Sequence, residues 1–165
     1  MDGVEYLHSE GVVHRDLKPS NIFMSLHTGH VQKPLHLNLR IGDFGLVSAI
    51  AQPNAELPLT PSKAVGTEIY RPPSHYGFPN VKLDVFALGV IAFELLWKFD
   101  TRMERVDVLQ KVKAGIFPSD FSTKTGDSDG KVEACIRSML HSDERERPTC
   151  AEVRMQIEGI LAKEH

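Results

Sequence analysis

The sequence predicts a mainly helical α+β fold, with two or three short β-strands set at one edge of a helical body. Three observations carry that reading. Apolar residues recur at helical intervals in the C-terminal half, as at Val132, Ile136, Met139 and Leu140. Two T-x-x-E segments, Thr101 with Glu104 and Thr149 with Glu152, have the form of capping boxes, in which hydroxyl and carboxylate each satisfy a free backbone donor at a helix start. The β-prone runs are few and short, at Ile22 to Met24 and Leu37 to Ile41. A chain of 165 residues, 41% of them hydrophobic, suffices for one sizeable core and fits neither a disordered nor a fibrous protein.

In chain order, Val4 and Leu7 mark the last turns of a helix and Gly11 its stop signal. Met1 stands inside this periodic stretch without a capping residue before it, as expected of a chain cut within a helix. The two β-prone runs flank a polar loop, HTGHVQKP, whose neighbourhood holds His27, His30 and His36; scattered loop histidines are expected to be exposed side chains rather than metal ligands. Residues 46 to 76 carry Pro53, Pro58, Pro61, Pro72 and Pro73, and no helix survives that density of proline. Residues 81 to 97 then form an apolar helix, too short to span a bilayer and interrupted by Glu94, with Asp84 placed to cap backbone donors near its start. Met103, Val106, Leu109 and Val112 are expected to form a core-facing stripe.

Composition excludes several classes of function. A formal net charge of −3 with no Lys/Arg cluster argues against nucleic-acid binding. Cys135 and Cys150 lack a metal-ligand spacing and read as reduced core thiols. No basic-plus-apolar leader opens the chain, so a cytoplasmic protein is expected.

HRDLKPSN, residues 14 to 21, places two cations around one carboxylate, with an asparagine close behind. His14, Arg15, Asp16, Leu17 and Asn21 fill the five fixed positions of H-R-D-L-x-x-x-N, and Asp43, Phe44 and Gly45 supply the D-F-G that follows it. On these motifs the chain resembles the eukaryotic protein kinase family. Phosphoryl transfer through a loose transition state asks a protein mainly to position groups and neutralise charge. The resemblance therefore implies ATP and Mg²⁺ as cofactors, Asp16 as acceptor of the hydroxyl proton, and Lys18 as a point charge on the γ-phosphate. It implies Asn21 and Asp43 as metal ligands, with Phe23, Lys18, Asn21 and Asp43 contacting the nucleotide. Gly45 would let the chain turn after the metal ligand, and Thr67 would belong to the catalytic set. His14, Phe44, Asp84 and Arg147 would be structural, Asp84 anchoring the catalytic loop from below.

By the same resemblance, the whole chain, residues 1 to 165, is the helical C-terminal lobe of a kinase, and residues 46 to 76 are its activation segment. Thr60 and Ser62 are the candidate phosphate acceptors there, with Arg15 as the cationic partner. The stretches GDFGLVSAI, VGTEIY and FELLWKFDTRMERVDVLQKVKAGIFPSDF are similar to the kinases of the translation initiation factor 2 alpha subunit. This implies a role in translation regulation under stress, with that subunit as protein substrate and Thr101, Glu104 and Arg105 on the exposed side of a docking helix. One departure stands out: Pro72, Pro73 and Ser74 replace A-P-E, so Arg147 loses its expected glutamate partner, for which Glu68 or Glu146 are the substitutes considered. No G-x-G-x-x-G and no strand lysine precede the catalytic loop, since only thirteen residues do. The N-terminal lobe is thus expected to be the missing partner and the isolated chain to be inactive. The alternative is a non-catalytic module that binds substrate or partner.

Overall fold

The computed structural model describes residues 1–27, 36–49, 67–73 and 80–162. The expectations for His30, Thr60, Ser62 and Ser74, and for the side chains of His27 and His36, fall outside the described residues.

The first helix, α1 (Asp2–Ser9), ends where Gly11 takes the left-handed conformation at φ 73° and returns its N–H to the His8 carbonyl at 3.1 Å. Strand β1 (Val12–Val13) follows. A 3₁₀ turn (Pro19–Asn21) leads into β2 (Ile22–His27), which pairs antiparallel with β3 (His36–Ile41); Ile22 faces Ile41 and Met24 faces Leu39. Strand β4 (Ser48–Ala49) returns to pair with β1, so that the small sheets are β1–β4 and β2–β3. The hairpin is longer than the expected Ile22 to Met24, and the β1–β4 ribbon has too few residues to leave a periodic signal.

Along the hairpin, Ile22, Met24 and Leu26 share a face with Leu37, Leu39 and Ile41, because directly opposed residues project to the same side. Only the inner pair, Ile22 and Ile41, packs against the core; Met24, Leu26, Leu37 and Leu39 are 53 to 70% exposed.

A second 3₁₀ turn (Glu68–Tyr70) precedes five helices: α2 (Lys82–Leu96), α3 (Arg102–Lys113), α4 (Phe121–Thr125), α5 (Lys131–Met139) and α6 (Cys150–Leu161). Helix α2 is apolar around most of its circumference, and the fold accordingly wraps it: Val85, Phe86, Val90 and Phe93 are wholly buried. Its approach to α5 is close enough to require glycine, since a Cβ on Gly89 would lie 2.9 Å from the Met139 Cβ. At its C-terminal end Phe93 stacks on Phe121 at 5.2 Å and meets Phe117 edge-on at 5.5 Å. Both expected capping boxes form, at Thr101 with Glu104 and at Thr149 with Glu152. Cys135 and Cys150 are buried free thiols, and burial, with a further contribution from Asp84, pushes Cys150 up to about 12. Among the described residues, no helix is long and apolar enough to cross a membrane.

The α3 stripe needs correcting. Leu109 and Val112 are buried, but Met103 is 83% and Val106 48% exposed. Steps of three residues advance about 300°, so each falls short of a full turn by about 60°, and Met103 and Val112 stand on opposite sides of the helix. The i, i+4, i+7, i+8 spacing of Val132, Ile136, Met139 and Leu140 keeps one face, and the last three are buried while Val132 packs at the margin.

Candidate active site

The catalytic-loop motif is fastened from beneath. Leu17 and Val13 are buried, and Asp84, 1% exposed on α2, accepts the backbone N–H of His14 at 2.8 Å and of Arg15 at 2.8 Å, with His8 Nε2 at 2.9 Å. Asp84 therefore does not cap its own helix, whose start at Val81 has no side-chain cap; the loop's unpaired amides are the donors it satisfies. His14 is wholly buried, and one tautomer serves both its contacts: Nε2 donates to the Gly42 carbonyl at 3.1 Å while Nδ1 accepts the Asp16 N–H at 3.4 Å. Arg15 takes φ 71°, a left-handed conformation sparsely used by side-chain-bearing residues, and this bends the loop so that Asp16 turns up from the floor.

Asp16, 7% exposed, is surrounded by donors. Its Oδ1 accepts the Thr67 N–H at 2.7 Å and the Thr67 hydroxyl at 3.0 Å, while its Oδ2 takes Lys18 Nζ at 2.6 Å. Lys18 Nζ also donates to Thr67 Oγ1 at 3.2 Å. Burial pushes the Asp16 carboxyl up, but the Lys18 bond and the two Thr67 bonds outweigh it and leave the group below its ordinary range. The carboxylate is thus ionised and oriented, able to accept a proton from a hydroxyl brought to it. The Asn21 side chain donates its amide N–H to the Asp16 carbonyl at 2.9 Å, and none of the described residues donates to its amide oxygen.

The hairpin carries Asp43 to this amide. Ile22 faces Ile41, and the Gly42 N–H donates to the Asn21 carbonyl at 2.9 Å, so Asn21 and Asp43 emerge from the same end of paired strands. Asp43 is exposed and takes φ 62°; Gly45 is not among the described residues with positive φ, so the sharp conformation belongs to the acid and not to the glycine after it. The Asp43 Oδ1 accepts the Gly45 N–H at 3.4 Å. One neutral amide oxygen and one anionic carboxylate are the hard oxygen donors that suit Mg²⁺. Phe44 tilts against His14 at 5.3 Å between ring centroids. Phe23, exposed on the opposite face of the hairpin from Met24, leans over Gly42 so closely that a Cβ there would lie 2.4 Å from its ring.

The remaining expected residues are placed as follows. Arg15 Nη1 donates to the Ser48 hydroxyl at 2.5 Å, a partner on β4 that the sequence did not suggest. Thr101 and Glu104 are engaged with each other in the capping box. Arg105 turns away from the exposed side of α3: its Nε donates to Glu94 Oε1 at 2.5 Å and its Nη2 to the Tyr70 hydroxyl at 2.8 Å. Arg147, 2% exposed, pairs with neither Glu68 nor Glu146; it donates to the carbonyls of His141 at 2.7 Å, Ser142 at 3.2 Å and Lys82 at 3.3 Å and lies over the Phe86 ring. Carbonyl dipoles there replace the expected carboxylate.

Tyr70 and Glu94 went unassigned in the sequence, and both are tied to Arg105. Burial and the adjoining Glu94 carboxylate push the Tyr70 hydroxyl above its ordinary range. The available signal was Glu94 itself, an acid interrupting an apolar helix and so in need of a donor.

Comparison with known proteins bears on the same residues. The protein kinase domain model matches residues 1–156. Among curated proteins, eukaryotic translation initiation factor 2-alpha kinase 3 of Bos taurus is 38% identical over 162 residues, covering 92% of this chain and 13% of its own length. The interferon-induced, double-stranded RNA-activated protein kinase of Rattus norvegicus is 37% identical over 157 residues, covering 92% of this chain and 26% of its own length. Eukaryotic translation initiation factor 2-alpha kinase 1 of Mus musculus is 40% identical over 136 residues, covering 75% of this chain and 20% of its own length. The chain therefore spans about a quarter or less of these relatives. A buried, donor-ringed aspartate, an asparagine and an aspartate joined by one hairpin, and a helical body beneath them coincide with the family match over nearly the whole sequence: this chain belongs to the protein kinase family, with kinases of translation initiation factor 2 alpha among its relatives.

Proposed function

We propose that the chain is the catalytic lobe of a protein serine/threonine kinase acting on the alpha subunit of translation initiation factor 2. The observation that carries this reading is the Asp16 carboxylate, held ionised between Lys18 and Thr67 beside an Asn21 amide oxygen to which none of the described residues donates. Asp16 orients the substrate hydroxyl and takes its proton as the oxygen attacks. Lys18, already within reach of Asp16 and Thr67, meets the negative charge of the transferred group. Asn21 and Asp43 would hold Mg²⁺, and bound Mg·ATP supplies the γ-phosphoryl group and neutralises its charge. Phe23 offers an exposed ring beside that place.

The substrate assignment rests on relatives that are themselves eukaryotic translation initiation factor 2-alpha kinases. The exposed side of α3, where Met103 projects, is the docking face in this reading. A translation initiation factor is a cytoplasmic partner, which keeps the protein on that side. Residues 46–76 act as the activation segment, and residues 1–165 form one lobe that closes on a second to complete the nucleotide site. The isolated span is therefore expected to be inactive and to bind Mg·ATP weakly.

The test separates the two carboxylates in an intact kinase domain carrying these residues. Asp16→Asn should lower kcat on the order of a hundredfold or more with little change in the KM for ATP. Asp43→Asn should lower activity in a way that higher metal, or Mn²⁺, partly restores. Metal rescue of Asp16→Asn as complete as that of Asp43→Asn would sink the assignment.

A further inference from the structure

Glu94, Arg105 and Tyr70 close a ring of hydrogen bonds. Glu94 Oε2 accepts the Tyr70 hydroxyl at 2.6 Å, Glu94 Oε1 accepts Arg105 Nε at 2.5 Å, and Arg105 Nη2 donates to the Tyr70 oxygen at 2.8 Å. The ring is largely shielded, with the side chains of Glu94 and Arg105 11% and 34% exposed and Tyr70 buried. Its three members come from three elements: α2, α3 and the 3₁₀ turn Glu68–Tyr70. Helix α3 grips that turn a second time through Lys113, which is buried and donates to the Glu68 carbonyl at 3.0 Å. The residue at the head of the turn is Thr67, whose N–H and hydroxyl both bond Asp16.

The turn therefore has its tail fixed to α2 and α3 and its head fixed to the reacting carboxylate. Only Glu68 and Ile69 separate the two attachments, too few for slack to be absorbed between them. Arg105 is suited to the part because its planar fork reaches a carboxylate and a hydroxyl at once, which a lysine ammonium on a flexible stem does not hold in place.

We propose that Arg105 is a positioning residue: a strut running from α3 through Glu94 and Tyr70 that holds Thr67 against Asp16, and not a contact with the protein substrate. The inference rests on the reading of Asp16 as the catalytic carboxylate. Helix α3 thus serves two ends, its exposed Met103 side free for a partner and its Arg105 side committed to the geometry of the catalytic loop.

The experiment compares Arg105→Ala, Arg105→Lys, Tyr70→Phe and Arg105→Ala with Tyr70→Phe in an intact kinase domain carrying these residues, with Asp16→Asn as reference. Each is assayed on the whole protein substrate and on a short serine peptide that cannot reach α3. A strut predicts that Arg105→Ala and Tyr70→Phe lower kcat on both substrates by the same factor, on the order of tenfold, with the KM for the protein unchanged. Arg105→Lys should recover part of the loss, and the double variant should be little worse than the worse single one. A merely structural residue would not divide kcat from KM equally on both substrates, nor would Arg105→Lys restore it. Tyr70→Phe keeps its buried ring, so it carries the comparison should Arg105→Ala not fold. A loss confined to the KM of the protein, with the peptide spared, would make Arg105 a docking contact and overturn the inference alone. Full activity of Asp16→Asn would overturn the reading of the site beneath it.

Discussion

The catalytic loop and the segment around Asp43 face each other across the candidate site, yet they are held in opposite ways. Residues 13 to 17 rest on buried groups, with Val13, His14 and Leu17 almost wholly enclosed and Asp84 collecting the loop's amides. Asp43, Phe44 and Gly45 are exposed, joined to the rest through Gly42, the His14 ring contact and the two-residue β4. Asp16 is thus fixed by this chain's own core, whereas Asp43 keeps an open upper surface. In the proposed function Asp16 is where a proton moves between two oxygens, the step for which rigid positioning matters most, and the buried polar contacts gather there.

The contrast can be tested by substitution. Asp84→Ala should have the largest effect, a loss of about 3–5 kcal/mol, because one buried and two partly buried groups lose their partner at once. Urea unfolding of a kinase domain carrying the change measures it, and a loss near zero would mean the loop is not held from below. Leu17→Ala should lower stability by about 3 kcal/mol through the cavity left under the loop. A pH-gated effect comes next. The Asp16 carboxyl lies below its ordinary value of 3.8 in the folded state, so its contribution to stability is fully present above that value and is lost as pH falls through the lower folded one. The acid arm of a stability profile should accordingly flatten in Asp16→Asn. Asp43→Asn should change stability by less than about 0.5 kcal/mol while weakening Mg²⁺ binding, which calorimetry would separate. The smallest effect on stability is expected from Met24→Ser with Leu39→Ser on the exposed hairpin face, whose signature should be reduced self-association and reduced binding of an apolar dye.

What the sequence showed of this arrangement follows a physical rule. Chemistry carried by contiguous residues was legible: the order of His14, Arg15, Asp16 and Asn21, the Asp43 to Gly45 triplet, and two capping boxes whose partners lie three residues apart. Partners brought together by folding were legible only through the family resemblance, as with Asp84 beneath the loop about seventy residues away, or were missed. Arg147 found carbonyls where a carboxylate was expected, and Arg105 turned inward to an acid on the preceding helix. Periodicity failed at α3 for a geometrical reason, since exact steps of three wander around a helix while the mixed steps of α5 do not. Left-handed backbone at Arg15 and Asp43 leaves no trace in composition, as neither residue is glycine.

The carbonyl cradle of Arg147 has a consequence for behaviour in salt. An ion pair between a guanidinium and a carboxylate weakens as mobile ions gather around both charges. The link that Arg147 makes between the first turn of α2 and the loop after α5 ends on neutral dipoles, beneath the surface and against an aromatic ring. Glu144 and Asp143 add only an attraction from a distance, so raising ionic strength leaves the hydrogen bonds to the carbonyls in place, and the part of the core that joins α2 to the C-terminal helices should keep its grip in concentrated chloride, while exposed pairs such as Lys111 with Asp107 let go.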